Sequence, residues 1–538
     1  MVGHLALTLA TATGLPKAAE VLGVIVAAAL GAVAIVAPSV RARAAAMLGA
    51  LAAAPVLLLA DIWNSAQVHS LRDRPAVAGA LVIAGLVVVA AIAVLMRRRP
   101  QALPLLAVAA LPFRIPISAG GSTASLLVPL YVVVAGGVLG HALPRLLGSD
   151  DDAPHPARAL EWLLAGYLVL YGVQAAWSAD FEKALQQVAF FYIPFSLLFC
   201  LLREVEWTPR LVAGCLGILV ALAVIFVGVG FVEYSRKQLF LNPRIIAANE
   251  FSSYFRVNSL FFDPNIYGRF LAMVMLALAT VALWRSRLRD VLAAGALLAL
   301  LWAGLILTLS QSSFAALLAG LAVLAALRWS VRWTVAATLA ALVVGGLVVL
   351  VGHSALKIDL NKGSAADRAT SGRTALISGG WRLFEHRPVL GWGSAAFALQ
   401  YRAHESASSE RAVSASHTIP VTVAAEQGIV GLAVYLALLA AALGRLFAAA
   451  RERPLRAFGA AAFVGLLLPT MLYAAFLEDP TTWVLLAVGV ATAPAVRRRR
   501  RRRREPSEVT ARRLRTEDRA GERDPAATAS RRAGRATS

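Results

Sequence analysis

The sequence predicts an all-α protein, a polytopic transmembrane helical bundle of about 12–15 spans that carries a large extracytoplasmic loop. Three observations lead there. Of 538 residues, 59% are apolar and only 15% charged, with a mean hydropathy of +0.70, whereas a soluble domain carries about 25% charged residues. Apolar runs of about 18 or more residues, enough to cross a hydrocarbon core, recur along most of the chain; Ala76–Met96, Leu211–Val229, Val291–Leu309 and Trp333–Val351 are examples. Arginine, finally, collects in the short connections between these runs.

Taken in order, residues 1–231 hold the N-terminal spans. The N-terminus lacks a basic leader, and its first apolar stretch breaks at Gly14-Leu15-Pro16. The first span is therefore expected to act as its own targeting signal. Residues 232–265 form an extracytoplasmic segment, 266–352 the central spans, 353–416 the large extracytoplasmic loop, 417–496 the C-terminal spans and 497–538 a basic tail. Short cytoplasmic loops gather Lys and Arg. Working backward from a cytoplasmic tail, the connections Arg451–Arg456, Arg328–Arg332, Arg285–Arg289, Arg203–Arg210, Arg97–Pro100 and Arg41–Arg43 all fall on the cytoplasmic side, and every one contains Arg. Gly148–Arg158 also falls there, although Asp150–Asp152 lie in it; acids weigh little in this rule. Cys200 and Cys215 both sit within spans, which suits apolar packing rather than a disulfide or a zinc site. No internal repeat of the inverted-topology kind is visible.

The formal charge of +22 raises the question of nucleic acid. From Arg497 to Ser538 there are 16 Arg against 6 acids, a balance of +10. The run Arg497–Arg504 directly follows the last apolar segment, where it reads as an anchor facing anionic lipid. No recognition fold or aromatic platform accompanies it, and no nucleic acid is expected as a partner. The rest of the tail has the composition of a disordered segment.

Chemistry-bearing residues concentrate in and around the large loop. Lys357, Lys362, Arg368, Arg373, Arg382, Arg387, Arg402 and Arg411 outweigh Asp359, Asp367, Glu385, Glu405 and Glu410 by three charges. Long loops translocate regardless of charge, so this reads either as solvated loop or as a site for an anion, which the planar Arg fork grips bidentately. The patch Thr374–Phe384 suggests short helices on the membrane surface.

Several motifs stand in a fixed order: Phe262-Asp263-Pro264-Asn265; Leu309-Ser310-Gln311-Ser312-Ser313; Ser371-Gly372-Arg373; Trp381 to Gly393, containing Pro388-x-x-Gly391-x-Gly393; then His417-Thr418 and Glu426-Gln427-Gly428-Ile429-Val430-Gly431. This set resembles the O-antigen ligase and O-antigen polymerase family of bacterial envelope enzymes, most strongly over Arg256–Gly431. The resemblance implies glycosyl transfer at the outer face of the plasma membrane without metal or cofactor. A glycan would pass from a polyprenyl-pyrophosphate carrier to the hydroxyl of a glycan or lipid acceptor. By position, His417 matches the family's acceptor-side base and Arg373 its loop arginine, which holds pyrophosphate. An imidazole titrating near neutrality suits the first role, and a permanent cation the second.

The sequence departs from the family at Gln311, where many relatives have Arg. An amide bonds phosphate but supplies no charge, so Arg256 or Arg269, flanking Asp263 and Asn265, are the candidate replacements. Thr418 stands where ligases often have Asn, Ser or Gln. Each candidate also has a plain structural reading: His417 as a helix-entry residue, Arg373 as a loop ion pair, Arg256 and Arg269 as snorkelling cations. Glu426 lies nine residues, about 13 Å, along a helix from His417 and on roughly its opposite face; it reads as structural or as lining the site. Glu478 and Asp479 read as sugar-hydroxyl ligands or as caps of Pro480. Arg382 joins the pyrophosphate and glycan candidates. Trp381 and Trp392 suit sugar stacking or membrane anchoring.

His386, His404 and His417 are spaced by 18 and 13 residues, which fits no metal pattern. The rival readings are a transporter or flippase of lipid-linked sugars and a non-catalytic envelope scaffold. The near absence of charge from the spans favours surface chemistry over translocation.

Overall fold

A computed structural model describes residues 17–63, 73–119, 122–148, 156–241, 255–340, 373–405, 418–470 and 476–494. Among these, eleven helices are long and apolar enough to cross a membrane, and two shorter apolar helices follow them. The chain is a helical membrane protein of the predicted class.

The first half comprises α1 (Lys17–Val36), α2 (Val40–Ile62), α3 (Pro75–Arg98), α4 (Ala102–Ala110), α5 (Val128–Leu147), α6 (Ala159–Gln174), α7 (Phe181–Gln187), α8 (Ile193–Leu202) and α9 (Pro209–Arg236). A π-helical turn, Val188–Tyr192, joins α7 to α8. The second half comprises α10 (Pro264–Trp284), α11 (Leu288–Thr308), α12 (Gln311–Arg328), the loop helices α13 (Arg373–His386) and α14 (Phe397–Glu405), then α15 (Ile419–Phe447), α16 (Pro454–Thr470) and α17 (Pro480–Ala491). One feature was not foreseen. Between α4 and α5 the strands β1 (Ile115–Ala119) and β2 (Ser122–Leu126) pair antiparallel, with Ile115 opposite Leu126. The Ile-Pro-Ile-Ser-Ala and Ser-Thr-Ala-Ser-Leu runs are too short and too polar to register in a search for spans.

Local chemistry sets the helix starts. Ser39, Asp180, Thr208, Asp263, Ser310 and Asp479 are side-chain N-caps, each accepting from a backbone N–H of the first turn. Proline in the first turn opens α3, α5, α8, α9, α10, α15 and α17, where the missing N–H costs nothing.

At one end of the bundle, arginines from the short connections cap carbonyls that the helix ends leave open. Arg43 Nε donates to Ala37 O at 2.7 Å, and Arg203 Nη1 to Ile35 O at 2.6 Å, closing α1. Arg328 Nε donates to Leu283 O at 3.0 Å on α10, and Arg456 Nη1 to Gly489 O at 3.1 Å on α17. Glu204 draws in Arg43 at 3.6 Å and His141 at 3.4 Å. These connections therefore bind the bundle together as well as carry its charge.

Two apolar cores run through the bundle. The first joins α1, α2, α5, α6, α8, α15, α16 and α17, and the second joins α9, α10, α11 and α12 to α16. Alanine, leucine and small residues dominate both, as expected where close packing rather than water exclusion holds helices together. The flank of α3 is different: Leu81, Val82, Leu86 and Val87 are exposed, a surface suited to lipid. Cys200 and Cys215 are buried and unpaired. A third, smaller core of Leu376, Leu383, Phe397, Tyr401 and Ala425 seats α13 and α14 on the first turns of α15.

Candidate functional site

The N-termini of α10 and α12 meet. α11 ends at Leu309, which takes a left-handed conformation (φ +48°), and α12 begins two residues later, capped by Ser310. Such a tight reversal brings the first turn of α12 back to the α10 start. There Ser310 Oγ donates to Asn265 Oδ1 at 2.8 Å, and Ser313 Oγ donates to Asn265 O at 3.2 Å. Arg256, on the segment leading into α10, donates through Nε to Thr308 O at 3.0 Å and through Nη2 to Asn265 Oδ1 at 3.3 Å. Asp263 caps α10 by accepting from Asn265 N at 2.6 Å. Arg256, Asp263, Asn265 and the Ser310 turn thus come together, and Gln311 stands exposed at the first position of α12. A cation beside a helix N-terminus is an arrangement that favours phosphate oxygens.

Arg269 is engaged elsewhere. One turn into α10, its Nη1 meets Asp479 Oδ2 at 2.7 Å, and both side chains are almost fully buried. Asp479 also accepts from Thr481 N at 2.9 Å, capping α17. The structure therefore gives Asp479 the capping role together with an ion pair that ties α10 to α17. Glu478 precedes it; burial pushes this carboxyl up from its ordinary value, and only the Lys183 ammonium on α7 works against that shift.

The Pro388-x-x-Gly391-x-Gly393 motif docks onto a break in α15. Gly428 interrupts that helix with φ +65° and ψ −164°, a region open essentially only to glycine. The break frees main-chain groups, and the loop takes them up. Ile429 N donates to Pro388 O at 2.7 Å, Trp392 N to Ala425 O at 3.1 Å, and Gly393 N to Glu426 O at 2.8 Å. The strands of chain lie so close that a Cβ on Gly391 (φ +69°) would fall 2.2 Å from Glu426 O. Glu426, 8% exposed, spends its carboxylate on the same loop, accepting from Ala395 N at 3.1 Å and Phe397 N at 3.0 Å. From the other side Gln174 Nε2, at the end of α6, reaches Leu390 O at 3.3 Å and Gln427 O at 3.2 Å. Ser394 Oγ donates to Tyr171 O at 2.8 Å.

On the loop helices, Arg382 Nε meets Glu405 Oε1 at 2.9 Å, with a second contact between Arg382 Nη2 and Glu405 Oε2. These hydrogen bonds hold the Glu405 carboxyl below its ordinary value and the Arg382 guanidinium above its own. Trp392 donates its Nε1 to Leu383 O at 2.9 Å and carries the Arg387 guanidinium 4.0 Å over its ring, so it is a packing residue here. Trp381, 49% exposed, is the tryptophan presented outward, beside Ile377, Ser378 and Arg382. Arg373 opens α13, but its side chain lies outside the described residues, as does the whole of His417. Among the described residues, no group of three or more His, Cys, Asp and Glu is placed to hold a metal ion.

Sequence reasoning passed over Gln174, at the end of α6, and Ser178, just beyond it, whose side chains reach main-chain carbonyls of the loop. A glutamine at the end of an otherwise apolar helix was the available signal. The stretch that contains the α12 start, the loop helices and the broken α15 is also where a comparison with known families succeeds: residues 296–436 match the O-antigen ligase family. Comparison of the chain with curated proteins finds no match. The O-antigen ligase match supports glycan transfer of the ligase or polymerase kind, with lipid-linked glycans as the general substrate class. Within the ligase stretch, the Gly-x-Gly motif and Glu426-Gln427-Gly428 are two halves of one main-chain joint.

Proposed function

We propose that this chain moves a glycan from a polyprenyl-pyrophosphate donor to an acceptor hydroxyl, without a metal, at the outer face of a bacterial plasma membrane. The observation that carries this reading is the O-antigen ligase match at 296–436, which includes Arg373, Gln311 and His417. In this reading His417 accepts the acceptor hydroxyl proton as the oxygen attacks the anomeric carbon. The bond from that carbon to the pyrophosphate oxygen breaks, and polyprenyl pyrophosphate leaves with the electron pair. Arg373 and Arg256, with the first-turn amides of α12 and the Gln311 amide, stabilise the charge that develops on the leaving group. Arg382 and Trp381 face the glycan. The end of the bundle that carries α13 and α14 is the outer one, the arginine-capped end is cytoplasmic, and so is the C-terminal tail.

Deletion of the gene in its host, followed by analysis of lipid-linked glycans, tests the proposal. Single repeat units accumulating in the deletion, cured by the native chain but not by His417→Ala, establish a polymerase that uses this His. Long lipid-linked chains with loss of the finished conjugate establish a ligase. If both the lipid-linked pool and the surface glycans are unchanged by deletion, the reading is refuted.

A further inference from the structure

Glu426 is a buried carboxylate that the proposed chemistry does not consume, and its surroundings give it a different task. We propose that Glu426 is a positioning residue, whose carboxylate fixes the loop helices on α15 and so sets where α13 stands relative to the outer end of that helix. The inference rests on the glycan-transfer reading, because Arg373 opens α13 and His417 directly precedes Thr418, the N-cap of α15.

The connection can be followed atom by atom. Glu426 Oε1 accepts from Phe397 N at 3.0 Å, the first residue of α14, and a carboxylate is favoured at a helix N-terminus. Its Oε2 accepts from Ala395 N at 3.1 Å. Ala395 is held at φ +62°, a left-handed conformation that a residue with a Cβ keeps only where its surroundings impose it. At the other end of α14, Glu405 takes both arms of the Arg382 guanidinium on α13. α13 then returns to α15 through Gly380, where an added Cβ would meet the Val421 side chain at 2.7 Å. Carboxylate, α14, ion pair and α13 thus form a closed circuit that begins and ends on the first turns of α15. An amide at position 426 supplies one acceptor oxygen and turns its own N–H groups toward the second backbone donor, so the circuit opens there without a change in side-chain volume.

The test uses the full-length chain in lipid nanodiscs, with Cys200 and Cys215 replaced by Ala and spin labels at Ser378→Cys on α13 and Leu436→Cys on α15. The native chain should give one narrow distance. Glu426→Gln should broaden it and lower glycan product in the deletion host by about a hundredfold, the scale expected for reacting groups displaced by about 1 Å, while the helix content and melting temperature of the chain stay native. A general loss of fold would lower product, helix content and melting temperature together and would overturn the positioning role. Glu405→Gln is the second variant: it weakens the Arg382 pair at the far end of α14 and should broaden the same distance to a lesser degree. A narrow distance and native product in Glu426→Gln would also overturn the inference. If the native chain itself makes no glycan product, the glycan-transfer reading fails, and the distance measurement still decides whether Glu426 holds the loop.

Discussion

Substituting Gly428 by Ala attacks the joint between the large loop and α15 with a single methyl group. At φ +65° and ψ −164° an L-residue with a Cβ is strained by about 1–3 kcal/mol. The new Cβ would stand 2.2 Å from Val389 O and 2.4 Å from Val389 C. These are main-chain atoms, so the overlap is relieved only if the loop withdraws. Withdrawal gives up the Ile429–Pro388, Trp392–Ala425 and Gly393–Glu426 hydrogen bonds, each worth about 1 kcal/mol. The hydrogen bonds oppose withdrawal in native chain and variant alike, so the shift toward the undocked loop comes from the strain, about 1–3 kcal/mol, with the main-chain overlap adding to it. At about 1.4 kcal/mol per factor of ten, the strain alone gives a rise of about five- to a hundredfold in loop opening. Amide hydrogen exchange of the nanodisc-embedded chain reads it directly, because the Trp392, Gly393 and Ile429 amides are protected only while the loop is docked. Gly428→Ala should strip protection from these three amides while the α10 and α16 amides keep theirs. Native protection at all three in the variant would refute the account of the joint.

The buried ion pair between Arg269 and Asp479 should behave as a unit. Arg269→Ala leaves a buried carboxylate without its partner and should cost about 3–5 kcal/mol, whereas Arg269→Met with Asp479→Asn should restore most of the thermal stability; additive losses in the double variant would show that the pair is not coupled. Glu478 carries a pH signature. Its carboxyl is raised in the folded chain, so above that raised value the ionised group bears its burial cost, and protonation relieves the cost as pH falls toward the ordinary value of 4.5. Glu478→Gln is neutral throughout and should melt above the native chain at pH 7–8, with the gap closing on acidification. A gap that does not change with pH would contradict the burial argument.

Much of the molecule was legible in the chain because the governing effects are local or compositional. A span needs only an apolar run of sufficient length, so Val128–Leu147 or Leu288–Thr308 declare themselves without reference to neighbours. Asp263-Pro264 and Asp479-Pro480 mark helix starts because capping and a fixed φ act within one turn. The helix at Arg373–His386 was expected from its own residues. The order of motifs from Asp263 to Gly431 sufficed to place the chain beside a family.

The assignment of partners required the tertiary structure. Arg256 and Arg269 are alike in sequence, both a few residues from Asp263, yet one joins the Ser310 turn and the other pairs with Asp479. That choice depends on which helix end lies opposite each side chain, across 9 and 210 positions of chain. Glu426 and the Gly-x-Gly motif look like separate functional signatures when read along the chain. Their shared role in one joint follows from main-chain groups that only a broken helix exposes. Apolar length and capping are properties of a segment, whereas the pairing of a buried charge is decided by the nearest group in space, because in a poorly solvated interior an unmatched charge or amide is too costly to leave alone.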